Sequence, residues 1–260
     1  PIPDAILRGD VRGFAGFPLV PFCNRIAFGR FTWQGRSYQL ERNFGDHPHT
    51  IHGVGWQRAW TVEAASRASA VLSLHHDAAD NAARAWPFPF DARLEFSLDA
   101  TRLRIGIGVT NRHDGAAPAG IGLHPYFGRS ASAVLQFNAN GVWLNGADSL
   151  PARHAAVPPD WDHANGRAIG AATLDNCFTG WNRAAQVAGV AGGVTLTADA
   201  AFRDLQVYTP PQQDFFCAEP VSHVPDAINR ADLPADQRMH VLQPGESLSG
   251  TITIAAATDG

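Results

Sequence analysis

Four short segments hold side chains whose types and spacing could do chemistry. The first, Asp46-His47-Pro48-His49-Thr50-Ile51-His52-Gly53, places three of the 11 histidines within six residues. On a strand His47 and His49 would share one face and His52 the other, while Pro48 and Gly53 favour a loop. No cysteine lies near and no His-Glu-x-x-His spacing completes a metal site, so a polar loop facing a ligand is the better reading, with solvated histidines as the bland one. The second segment is Gly120-Ile121-Gly122-Leu123-His124-Pro125-Tyr126-Phe127. Its glycines let the backbone come close, and Pro125 forces His124 into an extended conformation, which suits either a catalytic imidazole or a core histidine at a strand end. In the third, Leu174-Asp175-Asn176-Cys177-Phe178-Thr179-Gly180-Trp181, an acid and an amide open a turn that closes on glycine and an indole. That is an Asx-turn, or a carboxylate that accepts from hydroxyls beside an indole face for ring C–H groups; Trp56 suits the same stacking. The fourth runs from Tyr208-Thr209-Pro210-Pro211 through Phe215-Phe216-Cys217-Ala218-Glu219-Pro220 to Pro225-Asp226-Ala227-Ile228-Asn229-Arg230. Burial of Glu219 in this apolar run would raise its pKa and make it a useful base, although a glutamate before proline is also a common structural feature.

The elements that must position these groups read as strands. Leu94, Phe96 and Leu98 alternate with Arg93, Glu95 and Ser97, and after Asp99-Ala100-Thr101 the residues Leu103, Ile105, Ile107 and Val109 repeat the pattern, so the two runs predict an antiparallel hairpin. Further strands are expected at Phe31–Trp33 with Tyr38–Leu40 across Gln34-Gly35, and at Val71–Leu74, Leu135–Phe137, Val142–Leu144, Val194–Leu196, Leu205–Tyr208 and Thr251–Ile254. With 25 glycines and 18 prolines as punctuation, the pattern favours sheet packed on sheet: an all-β, large antiparallel β-sandwich. Residues 1–260 are expected to form a single domain, with Leu150–Gly170 as a long surface excursion.

Composition narrows the chemistry. The formal charge is -4 with no run of like charge, which leaves no footprint for nucleic acid or an anionic membrane and points to a small neutral partner. All 20 basic residues are arginines, so Schiff-base lysine chemistry and a lysine-bearing phosphate loop are excluded. Three widely spaced cysteines, Cys23, Cys177 and Cys217, argue against a disulfide framework and a thiolate zinc site. The absence of an apolar run of about 20 residues and the start Pro1-Ile2-Pro3-Asp4, unlike a signal peptide, lead to an expected cytoplasmic location.

In order and wording the four segments together resemble the aldose 1-epimerase, or galactose mutarotase, family. The resemblance is carried by Asn24-Arg25-Ile26 and the Phe31 to Leu40 hairpin, by Ile51-His52-Gly53, by Gly122-Leu123-His124-Pro125-Tyr126-Phe127, by Asp175-Asn176-Cys177-Phe178, and by Glu219-Pro220 with Pro225-Asp226-Ala227-Ile228-Asn229. It implies the galactose mutarotase-like supersandwich and interconversion of the α and β anomers of a hexose. His124 would then be the general acid, Glu219 the general base, and Asn24, Arg25, His52 and Asp175 the groups that hold the sugar, with Trp56 and Tyr126 as further contacts. No metal and no other cofactor is expected, since no electrons move and no group leaves; the chain would work as a monomer or homodimer. His49 stands where many relatives carry asparagine, which bears on sugar preference.

Three other readings remain open at this level. The same chemistry could act on a hexose 6-phosphate held by Arg30, Arg58 or Arg129; Asp175 and Glu219 could be the carboxylate pair of a glycoside hydrolase or lyase; or the sandwich could be a non-catalytic carbohydrate-binding module.

Overall fold

The computed structural model describes residues 13–170, 173–189 and 193–257. The opening Pro1-Ile2-Pro3-Asp4 lies outside them. Alternation does build the hairpin, and it reaches further than the sequence pattern suggested: Phe90–Leu98 pairs with Arg102–Asn111, Leu94 opposite Ile107 and Ala92 opposite Val109. Ala92, Leu94, Ile105, Ile107 and Val109 are buried, Phe96 and Leu103 are half-buried and Leu98 at the turn is exposed, while Arg93 and Glu95 face solvent and pair with each other. Asp99 holds the turn by accepting from the amides of Thr101 and Arg102. The ribbon Arg30–Trp33 with Arg36–Gln39 turns at Gln34 and Gly35, both with positive φ, the geometry a two-residue hairpin loop needs.

Two large antiparallel sheets make a β-sandwich. The nine-stranded sheet runs, edge to edge, through Arg167–Ala168, Val134–Phe137, Ala184–Ala188, Val194–Ala198, Ser247–Ala256, Arg102–Asn111, Phe90–Leu98, Ser69–His76 and Thr61–Ala65. The seven-stranded sheet runs through Gly16–Leu19, Gly122–Gly128, Phe215–Val221, Asp204–Tyr208, Asp175–Thr179, Gly141–Asn145 and Pro151–Ala155. Buried residues of both sheets, such as Leu94 and Ile107 from one and Phe178, Leu205 and Val207 from the other, belong to one apolar cluster.

The stretch Leu150–Gly170 is more ordered than expected. Pro151–Ala155 forms the edge of the seven-stranded sheet, Pro159–Trp161 a 3-10 turn, and Arg167–Ala168 the edge of the other sheet. Pro151 opens the first of these edge strands, where a missing donor is tolerated, and the second is only two residues long, so neither stands out from a loop in the sequence. Among the described residues no helix is long and apolar enough to cross a membrane.

Candidate active site

Period-two alternation on two neighbouring strands of the seven-stranded sheet creates the polar floor of a cleft. Leu205, Val207, Phe216 and Ala218 turn to the core, so Gln206, Tyr208, Phe215, Cys217 and Glu219 face the other way. Gln206 sits opposite Glu219 in the ladder, and Asp175 opposite Tyr208 one strand further on. On the other side, the pairs Gly122 with Val221 and Tyr126 with Cys217 put His124 opposite Glu219. The resulting hollow has a volume of about 690 Å³ and is lined by Asn24, Arg25, His52, Trp56, His124, Tyr126, Asp175 and Glu219, the eight residues expected to act on or hold a sugar.

At the floor, His124 Nε2 lies 3.4 Å from Glu219 Oε1. The imidazole is gripped between two rings, Phe17 at 4.5 Å and Tyr126 at 4.9 Å between centroids, with His52 edge-on at 5.3 Å. Both partners are buried, and among the described residues His124 Nδ1 and Glu219 Oε2 have no hydrogen-bond partner. Burial pushes His124 down from the usual histidine value to about 3, and pushes Glu219 well above the carboxylate range, aided by the charge of Asp175 and opposed by that of Arg25. Desolvation outweighs any mutual charge stabilisation, and the resting pair is a neutral imidazole beside a neutral carboxyl.

A second cluster forms the wall. Arg25 Nη2 donates to Asp175 Oδ2 at 2.6 Å, Nη1 donates to Asn24 Oδ1 at 3.2 Å, and Nε donates to His47 Nε2 at 3.5 Å. Gln206 Nε2 donates to the other Asp175 oxygen at 2.8 Å. Asp175 is therefore fixed as an acceptor with both oxygens engaged. The short ribbon of Arg25–Ile26 with Thr50–Ile51 carries this wall, and the Pro225–Asn229 motif props it: the Asp226 amide donates to the Arg25 carbonyl, Asp226 Oδ1 accepts from the Ala27 amide, and Asn229 Nδ2 donates to the Arg30 carbonyl. Asn24 and His52, both with positive φ, lock the ribbon to its neighbour, for the Asn24 amide donates to His52 Nδ1 and the His52 amide donates to the Asn24 carbonyl. Burial, aided by the charge of Arg25, holds His52 well below its ordinary pKa, so it is neutral with Nδ1 as acceptor, leaving Nε2–H as a donor.

The histidine loop sorts differently from the strand-face expectation. His47 and His52 line the cleft, whereas His49 is sealed off, with Nδ1 accepting from the Phe28 amide and Nε2 bonded to the Asp148 carbonyl. His49 is thus a structural strut between the ribbon and a distant turn. Trp181 is a core residue, not a sugar platform: its ring is buried and its indole N–H donates to the Ala184 carbonyl. Trp56 does line the cleft, stacked on Phe17 at 5.5 Å.

Phe17, Phe44, His47, Tyr208 and Phe215 also line the cleft, and Gln206 orders it from below. The Gln206-Val207-Tyr208 alternation held the signal for two of these, but nothing in the chain order tied it to Glu219. None of the arginines considered for a phosphate reaches the site. Arg30 donates to Gln39, Arg129 donates to the carbonyls of Pro210 and Gly170, and neither they nor Arg58 line the cleft; Arg25 is the single arginine lining it among the described residues.

Residues 3–255 match the family described as Aldose 1-epimerase. The chain belongs to that family. YphB of Escherichia coli K12, an uncharacterized relative, is 32% identical over 248 residues, covering 92% of this chain and 82% of its own. A crystal structure of an Escherichia coli K12 protein superposes with a TM-score of 0.86 at 29% identity, covering 96% of this chain and 86% of that one. A galactose mutarotase-like protein from Clostridium acetobutylicum superposes with a TM-score of 0.85 at 19% identity, covering 99% and 82%. Membership of the aldose 1-epimerase family makes the chain an isomerase-type enzyme, and a cleft with a wall of fixed donors and acceptors around apolar rings is its candidate site.

Proposed function

We propose that the protein interconverts the α and β anomers of an uncharged aldose by acid–base opening and reclosure of the ring. The observation that carries the reading is the buried pair of His124 and Glu219, 3.4 Å apart at the floor of a cleft roomy enough for a pyranose. In the reactive arrangement the pair holds one proton on His124. Glu219 takes the proton of the C1 hydroxyl while His124 gives its proton to the ring oxygen, and the C1–O5 bond breaks to leave a free aldehyde. Rotation about C1–C2 presents the other carbonyl face. Reclosure then returns the proton from Glu219 to the carbonyl oxygen and from the ring hydroxyl to His124.

Burial adds a reason for the choice of groups. Imidazolium with carboxylate and imidazole with carboxyl contain the same number of protons, and opening converts the first arrangement into the second. Since the neutral arrangement is the one favoured by the dry floor, the site assists proton transfer toward the open-chain sugar. Arg25, Asn24, Asp175 and the His52 Nε2–H group hold the hydroxyls meanwhile, and Trp56 and Tyr126 cover the apolar face.

The test is anomeric exchange of freshly dissolved α-glucose and α-galactose, followed by polarimetry or NMR. Wild-type protein should speed it, and His124→Ala and Glu219→Gln should each slow it on the order of 100-fold or more with the fold intact. No acceleration of these or any other aldose would end the reading. Near-normal rates in either variant would move that role to another residue.

A further inference from the structure

One group on the cleft floor is unused by this chemistry. Phe215 and Glu219 both face the cleft, so Cys217, midway between them on the same strand, shares their face. The ladder places Cys217 opposite Tyr126 and one diagonal step from His124. One ligand atom from each of His124, Cys217 and Glu219 lies within 4.8 Å of the other two, and all three residues are buried. The Cys217 thiol is in no disulfide, and among the described residues His124 Nδ1 and Glu219 Oε2 are without hydrogen-bond partners.

An imidazole nitrogen, a thiolate and a carboxylate oxygen make the donor set of a borderline-soft divalent cation such as Zn²⁺, Cd²⁺ or Co²⁺, and a poor one for Mg²⁺ or Ca²⁺. Tetrahedral zinc, with bonds of about 2.0 Å to nitrogen and about 2.3 Å to sulfur, needs ligand atoms roughly 3.3–3.7 Å apart. The 3.4 Å between His124 and Glu219 already meets that, and the remaining gap is within the reach of side-chain rotation.

We propose that His124, Cys217 and Glu219 form a binding site for a thiophilic divalent cation, and that a cation seated there shuts the enzyme down. Two positive charges would meet one thiolate and one carboxylate, so the buried site stays neutral overall. Two protons leave to solvent, one from the Cys217 thiol and the one carried by the His124 and Glu219 pair. With both proton-carrying groups ligated to the cation, neither can exchange a proton with the sugar. The fourth position opens on the cleft.

The site itself rests on geometry; its inhibitory effect rests on the proposed epimerase reaction. Tag-free, chelator-stripped protein is titrated with Co²⁺ as a spectroscopic probe, and with Zn²⁺ while released protons and anomeric exchange are measured. Wild type should take up one equivalent, show a thiolate-to-cobalt charge-transfer band, release two protons per Zn²⁺, and lose activity that a chelator restores. Cys217→Ser and Cys217→Ala should keep the exchange activity, lose the band, and require on the order of tenfold more Zn²⁺ for the same inhibition. Unchanged zinc sensitivity in both variants, or no charge-transfer band in wild type, overturns the site. If no aldose is epimerised, the band and the proton count still decide whether the cation site exists.

Discussion

At the residue scale the site spends stability on chemistry. Glu219 is held protonated in the folded chain far above the 4.5 at which it would ionise unfolded. Between those two values the native state binds one more proton than the unfolded state, so stability falls as pH rises through the interval. Glu219→Gln removes that linkage. The variant should melt at a higher temperature than wild type at mildly alkaline pH, with the difference shrinking as pH drops below about 4.5, even though its exchange activity is lost; a melting temperature lower than wild type throughout would contradict the burial argument. His124 acts in the opposite direction, since an unfolded histidine takes a proton below 6.5 whereas the folded one resists until about 3. Its pKa also shapes the rate. The pair keeps its single proton from about 3 up to the raised Glu219 value, so the pH profile should be flat through the ordinary histidine range and decline on the alkaline side; a titration step near 6.5 would show that His124 is solvated during turnover. The upward shift of Glu219 was readable from its apolar neighbours in the chain, but the downward shift of His124 was not, because Phe17 and Tyr126 close on the ring only in the fold.

At the element scale, short irregular pieces matter as much as the large sheets. The ribbon bearing Arg25 and His52 is only two residues wide on each side, and its position depends on the bridge from Val20 to Gly53. Gly53 has φ near +70°, and a Cβ there would run into the Val20 carbonyl. Gly53→Ala should therefore cost about 2–4 kcal/mol of stability in urea unfolding and raise KM, since His52 is its neighbour; a loss under about 0.5 kcal/mol, the range of ordinary surface changes, would mean the ribbon adjusts freely. Regular strands such as Phe90–Leu98 were legible because one face is wet, so apolar and polar residues alternate. The strand Phe215–Val221 was not, because it is covered on both faces and contains a proline, which erases the alternation.

At the scale of the whole molecule, charge separates neutral from phosphorylated substrates. Among the described residues the lining has one arginine, already paired with Asp175, and the other arginines once considered lie elsewhere. Exchange of a neutral aldose should thus change little as salt is raised through the physiological range, because no net ion pair with the sugar is screened. Hexose 6-phosphates should be turned over more slowly than the parent sugars; a strong preference for the phosphate, weakening steeply with salt, would point to a cation not among the lining residues.

Sequence by itself determined the class: alternation gave an antiparallel all-β chain, the missing lysines removed whole chemistries, and the worded anchors around His124, Asp175 and Glu219 indicated the family. These are properties of neighbours in the chain or of composition. Tertiary structure decided which histidines of the Asp46–Gly53 loop face the cleft and which is a strut, that Trp181 belongs to the core, and that Cys217 stands beside His124 and Glu219. The last depends on the ladder register between strands nearly a hundred residues apart, and the others on which distant segments pack against a loop, neither of which local periodicity encodes.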